Sequence, residues 1–180
     1  RNIGADSPEG YGDYFAWGET SPKSVYNLST YKYCNGSETT LSKYNNSSSY
    51  GTVDNKTTLD LSDDAARANW GGSWRMHTKA EQDELRTECT CTWTTENGVN
   101  GYRVTSNKAG YTDKSIFLPA AGIRYPSDPY NAGSCGYYWS SSLYTGNPSN
   151  AYLLSFSSGD VDWRSYGYRD YGRSVRPVCQ

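Results

Sequence analysis

The sequence predicts an α+β domain, with two helices in its first half and a run of antiparallel strands in its second. Between Ser62 and Glu88, helix-favouring stretches stand behind residues that cap helix N-termini. From Cys89 onward, β-branched and aromatic residues are punctuated by Gly, Asn and Ser. The length fits one compact domain: 180 residues can bury a core without staples. Only 35% of them are hydrophobic and only three are Phe, so the core must draw on Trp and Tyr. Their polar atoms then need partners inside.

Taken in order, residues 1–50 read as short extended pieces and loops around a compact aromatic cluster, Gly12 to Gly18. The stretch from Ser37 to Thr58 is Ser/Asn-rich and reads as a long surface excursion. The first helix begins at Ser62 as N-cap; Asp63 and Asp64 suit its positive end, Ala65, Ala66 and Ala68 favour it, and Gly71-Gly72 ends it. Trp74-Arg75-Met76 is a short buried link. The second helix starts with a capping box, Thr78 to Glu81, and runs to about Glu88. Thr92–Thr95 and Tyr102–Thr105 flank the turn residues Asn97-Gly98 and Asn100-Gly101, a hairpin signal. Ser115–Pro119 and Gly136–Ser141 are further strands. Ala151–Ser157 pairs with Val161–Ser165 across Ser158-Gly159-Asp160, and Ser174–Cys179 closes the chain.

A net charge of −2 gives no basic face for phosphate, so nucleic acid is not an expected partner. No apolar run reaches membrane-spanning length, and membrane insertion is not expected. The chain opens at Arg1 without a signal peptide, which leaves room for a removed upstream segment and for export. The five cysteines, Cys34, Cys89, Cys91, Cys135 and Cys179, are odd in number and match no zinc spacing. They read as packed or incidental thiols, and neither metal nor cofactor is expected.

One segment departs from the rest. Ile123 to Arg173 contains no Lys, Glu, Gln, Met or His, yet holds nine of the eighteen tyrosines. Tyr, Ser, Asn, Asp, Gly and Arg make up much of it, as in an antibody paratope. There Tyr supplies rigid contact area and the small polar residues supply adaptable hydrogen bonds. This composition points to a binding surface rather than a catalytic cleft.

Six strings occur in order: Asn2-Ile-Gly-Ala5, Gly12-Asp-Tyr-Phe-Ala-Trp-Gly-Glu-Thr20, Gly71-Gly-Ser-Trp-Arg-Met76, Phe117-Leu-Pro-Ala-Ala-Gly122, Tyr138-Trp-Ser-Ser141 and Ser174-Val-Arg-Pro-Val178. Together they resemble the Fibrobacter succinogenes major-domain family, abundant in Bacteroides and their phages. His77 departs from it, since Pro is expected after Trp-Arg-Met. The resemblance implies a C-type lectin fold, two helices packed on antiparallel sheets with long loops, in the branch shared with formylglycine-generating enzymes. Some members of this fold are variable proteins of diversity-generating retroelements, in which adenine-directed mutagenesis turns AAY template codons into NNY. The NNY set lacks Lys, Glu, Gln, Met and Trp. Residues 123–173 lack the first four, and Trp139 and Trp163 read as fixed supports.

The expectation is therefore a single ligand-binding domain, with residues 1–122 as mainly constant scaffold, 123–173 as variable face and 174–180 as closing strand. The expected face comprises Ile123, Tyr125, Ser127, Asp128, Tyr130, Cys135, Tyr138, Leu143, Tyr144, Ser149, Leu153, Ser155, Asp160, Asp162, Arg164, Ser165, Tyr168 and Asp170. Tyr125, Tyr130, Tyr144 and Tyr168 are its aromatic anchors and Arg164 its charged one. The expected partner is a protein or glycan on a cell surface, met by an extracellular, cell-surface or phage-tail protein; the oligomeric state is open.

Other chemistries fit less well. A formylglycine-generating enzyme has a local cysteine pair, whereas Cys135 and Cys179 are far apart and Cys179 reads as packed. The single histidine, His77, leaves no choice of catalytic base and reads as structural. For calcium-dependent sugar binding, Asn147-Pro148-Ser149 lacks the flanking carboxylate and Val161-Asp162-Trp163 does not supply the second motif. Asp63-Asp64 and Glu81/Glu84 sit where helix N-termini favour negative charge, not as a glycosidase pair. A fixed-sequence adhesion or carbohydrate-binding module is the main alternative.

Overall fold

The computed structural model describes residues 1–162 and 165–179. It is mostly β-sheet with two α-helices, an α+β fold. Helix α1 (Ala65–Trp70) is followed by strand β1 (Trp74–Met76) and helix α2 (Lys79–Glu88). Strands β2 (Cys89–Glu96), β3 (Val99–Ser106) and β4 (Ser115–Pro119) form one antiparallel sheet in that order. A two-stranded ribbon, β5 (Ile123–Arg124) and β6 (Pro129–Tyr130), leads into the central sheet. There β8 (Asn150–Ser157) pairs with β7 (Cys135–Leu143) along one edge, and with β9 (Asp160–Asp162) and β10 (Tyr166–Tyr168) along the other. The last strand, β11 (Pro177–Cys179), returns to pair with β1.

Both helices are set by their caps. Asp64, not Ser62, is the N-cap of α1: its carboxylate accepts the Arg67 N–H at 3.0 Å and also the Met76 N–H at 2.8 Å. A 3-10 turn over Leu61–Asp63 occupies the position expected for the first helical turn, because Asp63 is drawn away by Lys43 and Tyr44. The capping box of α2 forms as expected, with Thr78 Oγ1 accepting from Glu81 N and Glu81 Oε2 accepting from Thr78 N. The link at Trp74 to Met76 is only partly buried and serves as β1. Asn97 and Gly98 both take positive φ, 47° and 81°, and close the β2–β3 hairpin, while Asn100-Gly101 continues β3.

The central sheet is covered on both sides. Tyr138 and Leu154 face one way into a core with Tyr102, Val104, Leu118, Ala120 and Phe156. Their neighbours Trp139 and Leu153 face the other way into a larger core with Phe15, Trp17, Tyr26, Tyr31 and Tyr44. Successive strand residues point to opposite faces, so a sheet between two cores buries consecutive positions. Apart from the Tyr33 hydroxyl, which is buried without a hydrogen-bond partner among the described residues, the aromatic core meets much of its polar requirement internally. Trp17 Nε1 donates to the Ser140 carbonyl and Trp139 Nε1 to the Phe15 carbonyl, each at 2.8 Å. Tyr14, Tyr31 and Tyr138 hydroxyls donate to the carbonyls of Ala121, Trp17 and Pro119. The 37–58 stretch is not wholly a surface excursion: Leu41, Tyr44 and Asn45 are buried, with Asn45 Nδ2 donating to the Thr52 carbonyl.

Candidate functional site

The tyrosines of the 123–173 segment meet in two ring clusters. Tyr125 stacks on Tyr171 with centroids 4.1 Å apart, and Tyr171 lies 5.7 Å from Tyr168. Tyr144 stacks on Tyr166 at 4.0 Å and meets Tyr152 edge-on at 5.3 Å. Strand β10 links the clusters, since Tyr166 and Tyr168 are two residues apart and project from the same side of it. Tyr130 is exposed across from Ile123 in the ribbon. Of the four expected anchors, Tyr125, Tyr130 and Tyr168 are exposed and Tyr144 is half-buried.

A rigid base holds this surface. Arg169, 1% exposed, gives Nε to Tyr31 Oη at 2.9 Å, Nη1 to the carbonyls of Tyr44 and Pro148, and Nη2 to that of Lys43. Its guanidinium also lies 4.9 Å from the Trp17 ring centroid. Arg173 lies over Trp139 at 4.2 Å and against Tyr171 at 5.3 Å, and donates to the Tyr168 carbonyl at 2.7 Å. Burial pulls the Arg173 guanidinium down to about 10, which still leaves it charged at neutral pH. Two glycines admit these approaches. A Cβ on Gly167 would run into Arg173 Nη2, and Gly122, at φ 69°, has the Tyr130 carbonyl where its Cβ would go.

Below the first cluster lies a cleft of 400 Å³, lined by Tyr125, Tyr168, Tyr171, Ser149 and Asp170 on one side and by residues of the 27–38 loop on the other. A shallower depression of 240 Å³ collects Cys135, Tyr137, Ser155, Asp160 and Asp162. By register, Cys135, Tyr137, Ser155 and Asp162 share the sheet face of Trp139 and Leu153, whereas Tyr152 and Tyr166 belong to the opposite one. The expected residues thus fall into neighbouring groups rather than one flat patch.

Five of the expected contact residues are buried. Tyr138 and Leu153 are 1% exposed and Leu143 2%, because both faces of β7–β8 carry core. Ser149 and Asp170, at 4% and 5%, are buried yet line the cleft together with the loop residues. Ile123, Cys135, Ser155 and Ser165 are half-buried, and Ser127, Asp128, Asp160 and Asp162 are exposed. Arg164 and Trp163 lie outside the described residues; Trp139 is fully buried. Sequence reasoning missed Tyr166 and Tyr171. The Tyr-Gly-Tyr spacing at 166–168 signals two rings on one side of a strand and could have found the first.

Away from this surface, a cleft of 720 Å³ runs beneath α2, lined by Leu85, Ile116, Leu118 and Leu154, with His77 and Gln82 at its base. Burial pushes His77 down to about 4, so its ring is neutral, and Nε2 lies 2.8 Å from Gln82 Nε2. No cysteine is in a disulfide. Cys91 is raised to about 11 by burial, which suppresses its thiolate. Cys179 is exposed rather than packed, with Sγ 3.2 Å from Ser73 Oγ at the chain's closing edge. Among the described residues, no three His, Cys, Asp or Glu side chains gather as metal ligands, and no helix is long and apolar enough to cross a membrane. Comparison with protein-family models, curated proteins and solved structures finds no match for this chain.

Proposed function

We propose that this chain is a ligand-binding domain of C-type lectin fold, related to the Fibrobacter succinogenes major-domain family, and a variable protein of a diversity-generating retroelement. Its partner is a protein or glycan on a cell surface, and the domain is carried outside the cell or on a phage tail. It acts by binding, without catalysis. The observation that carries this reading is the gathering of Tyr125, Tyr144, Tyr166, Tyr168 and Tyr171, all from the compositionally distinct segment, into linked ring clusters on an arginine-held base. Rings fixed before binding lose little entropy on contact, which suits recognition. The pairing of β1 with β11 and the Ile3 N–H to Val175 carbonyl bond, at 3.2 Å, support the fold reading by tying the chain's two ends together.

The test is deep sequencing of the codons for residues 117–180 across one natural population. Substitutions concentrated in NNY codons at exposed positions such as Tyr125, Tyr130, Asp160 and Tyr168 are expected. The buried positions Tyr138, Trp139 and Leu153 and the closing residues 174–179 should stay constant. A uniform population would replace the diversified binder with a fixed adhesion or carbohydrate-binding module.

A further inference from the structure

Asp170 is the most unusual charge on the binding side. It is 5% exposed and lines the tyrosine-walled cleft, yet it forms no ion pair among the described residues. Burial raises its carboxyl above the usual range and Glu38 adds to that, while its own backbone N–H and the charges of Arg173 and Lys23 oppose it. Neither neighbouring arginine forms an ion pair with it, although Arg173 keeps a buried Nε without a hydrogen-bond partner among the described residues. Arg169 gives its hydrogen bonds to Tyr31, Tyr44, Pro148 and Lys43, and Arg173 gives its own to Tyr168 while lying against Trp139 and Tyr171. A buried carboxylate that has the nearby charge of Arg173 but no ion pair is only partly compensated, and a cation brought by a partner adds to that compensation.

The walls favour the same occupant. Tyr125, Tyr168 and Tyr171 offer ring surfaces, and aromatic faces attract ammonium and guanidinium groups. Glu38 adds a second negative charge from the opposite rim. At 400 Å³ the cleft has room for one long side chain. We propose that it seats a lysine or arginine side chain of the partner protein, with Asp170 as counter-ion and the tyrosine rings as its walls. This deepens the binding-surface reading and rests on it.

The test titrates the folded protein with N-acetyl-lysinamide and N-acetyl-argininamide, against uncharged N-acetyl-norleucinamide, following tyrosine ring signals by NMR. The cationic probes should shift Tyr125, Tyr168 and Tyr171 saturably and norleucinamide should not. The stronger of the two identifies the side chain. Asp170→Asn should weaken binding about tenfold, and Glu38→Gln about twofold. Equal shifts from norleucinamide, or undiminished affinity in a folded Asp170→Asn, would overturn the proposal. Should Asp170→Asn not fold, Glu38→Gln and added salt decide it, and affinity indifferent to both counts against it. Failure here is separable from failure of the functional reading. Varied codons with a cleft blind to charge sink only this proposal. A cation-selective cleft in an invariant population sinks only diversification.

Discussion

Arg169 carries a full charge into the core and answers it with oxygens rather than with a carboxylate. Its four hydrogen bonds reach Tyr31, Tyr44, Pro148 and Lys43, so one planar group holds three separate segments under the turn that presents Tyr168 and Tyr171. Arg169→Ala leaves those oxygens buried without a donor. It should destabilise the domain by about 4 kcal/mol, read by chemical denaturation. Arg169→Lys should rescue little, since a single ammonium cannot span a fork of this geometry. A fully stable alanine variant would show that the base of the surface is held by other contacts. At this scale the sequence was informative about residue type and poor about exposure. Tyr168 is legible as an anchor, but nothing local reveals that Ser149 and Asp170 are buried in a cleft shared with residues of the 27–38 loop.

Elements whose signals are local were the legible ones. The capping box of α2, the Asn97-Gly98 hairpin and strand β4 depend on residues within a few positions of each other, and they stand where the sequence puts them. The first sixty residues are held from afar. Phe15 bridges Arg173, Trp17 N–H donates to the Arg169 carbonyl, and the Tyr14 hydroxyl reaches Ala121. No local period announces such pairings. Strand β8 misled for a related reason: alternation separates its two sides, but only the second core explains why both are buried. The cap of α2 gives an element-scale prediction. Thr78→Ala removes the acceptor for Glu81 N–H and should cost about 1 kcal/mol. Glu81→Ala should cost more, because Glu81 also pairs with Arg75 through two bonds of 2.8 and 2.6 Å. Equal losses in thermal melts would mean that the Arg75 pair contributes nothing.

Across the whole molecule, His77 stands where helix α2, the central sheet and the closing segment meet. Its ring bonds Gln82 and the Arg176 backbone, and its carbonyl accepts the Ser141 N–H at 2.8 Å. Burial is the main reason its folded value falls to about 4 from an ordinary 6.5. An unfolded chain therefore takes up a proton on this ring in a range where the folded chain does not. Stability should be fully present above pH 6.5 and should decline as pH falls toward 4, by up to about 3 kcal/mol. A second decline belongs to carboxylates held low in the fold. Burial alone would raise Asp63, but hydrogen bonds from Lys43 and Tyr44 outweigh it and hold it well below the usual range. Arg75 brings Glu81 down to about 2 from 4.5. Their contribution is present above the unfolded carboxylate range and lost below it, as pH falls from about 4 toward 2. Denaturation midpoints measured from pH 7 to pH 2 should thus show two successive losses. His77→Asn should abolish the upper one and leave the lower, whereas Asp63→Asn should blunt the lower one alone. An unchanged slope between pH 6.5 and 4 in a folded His77→Asn would mean that the buried imidazole does not couple the helix, the sheet and the closing strand to protonation.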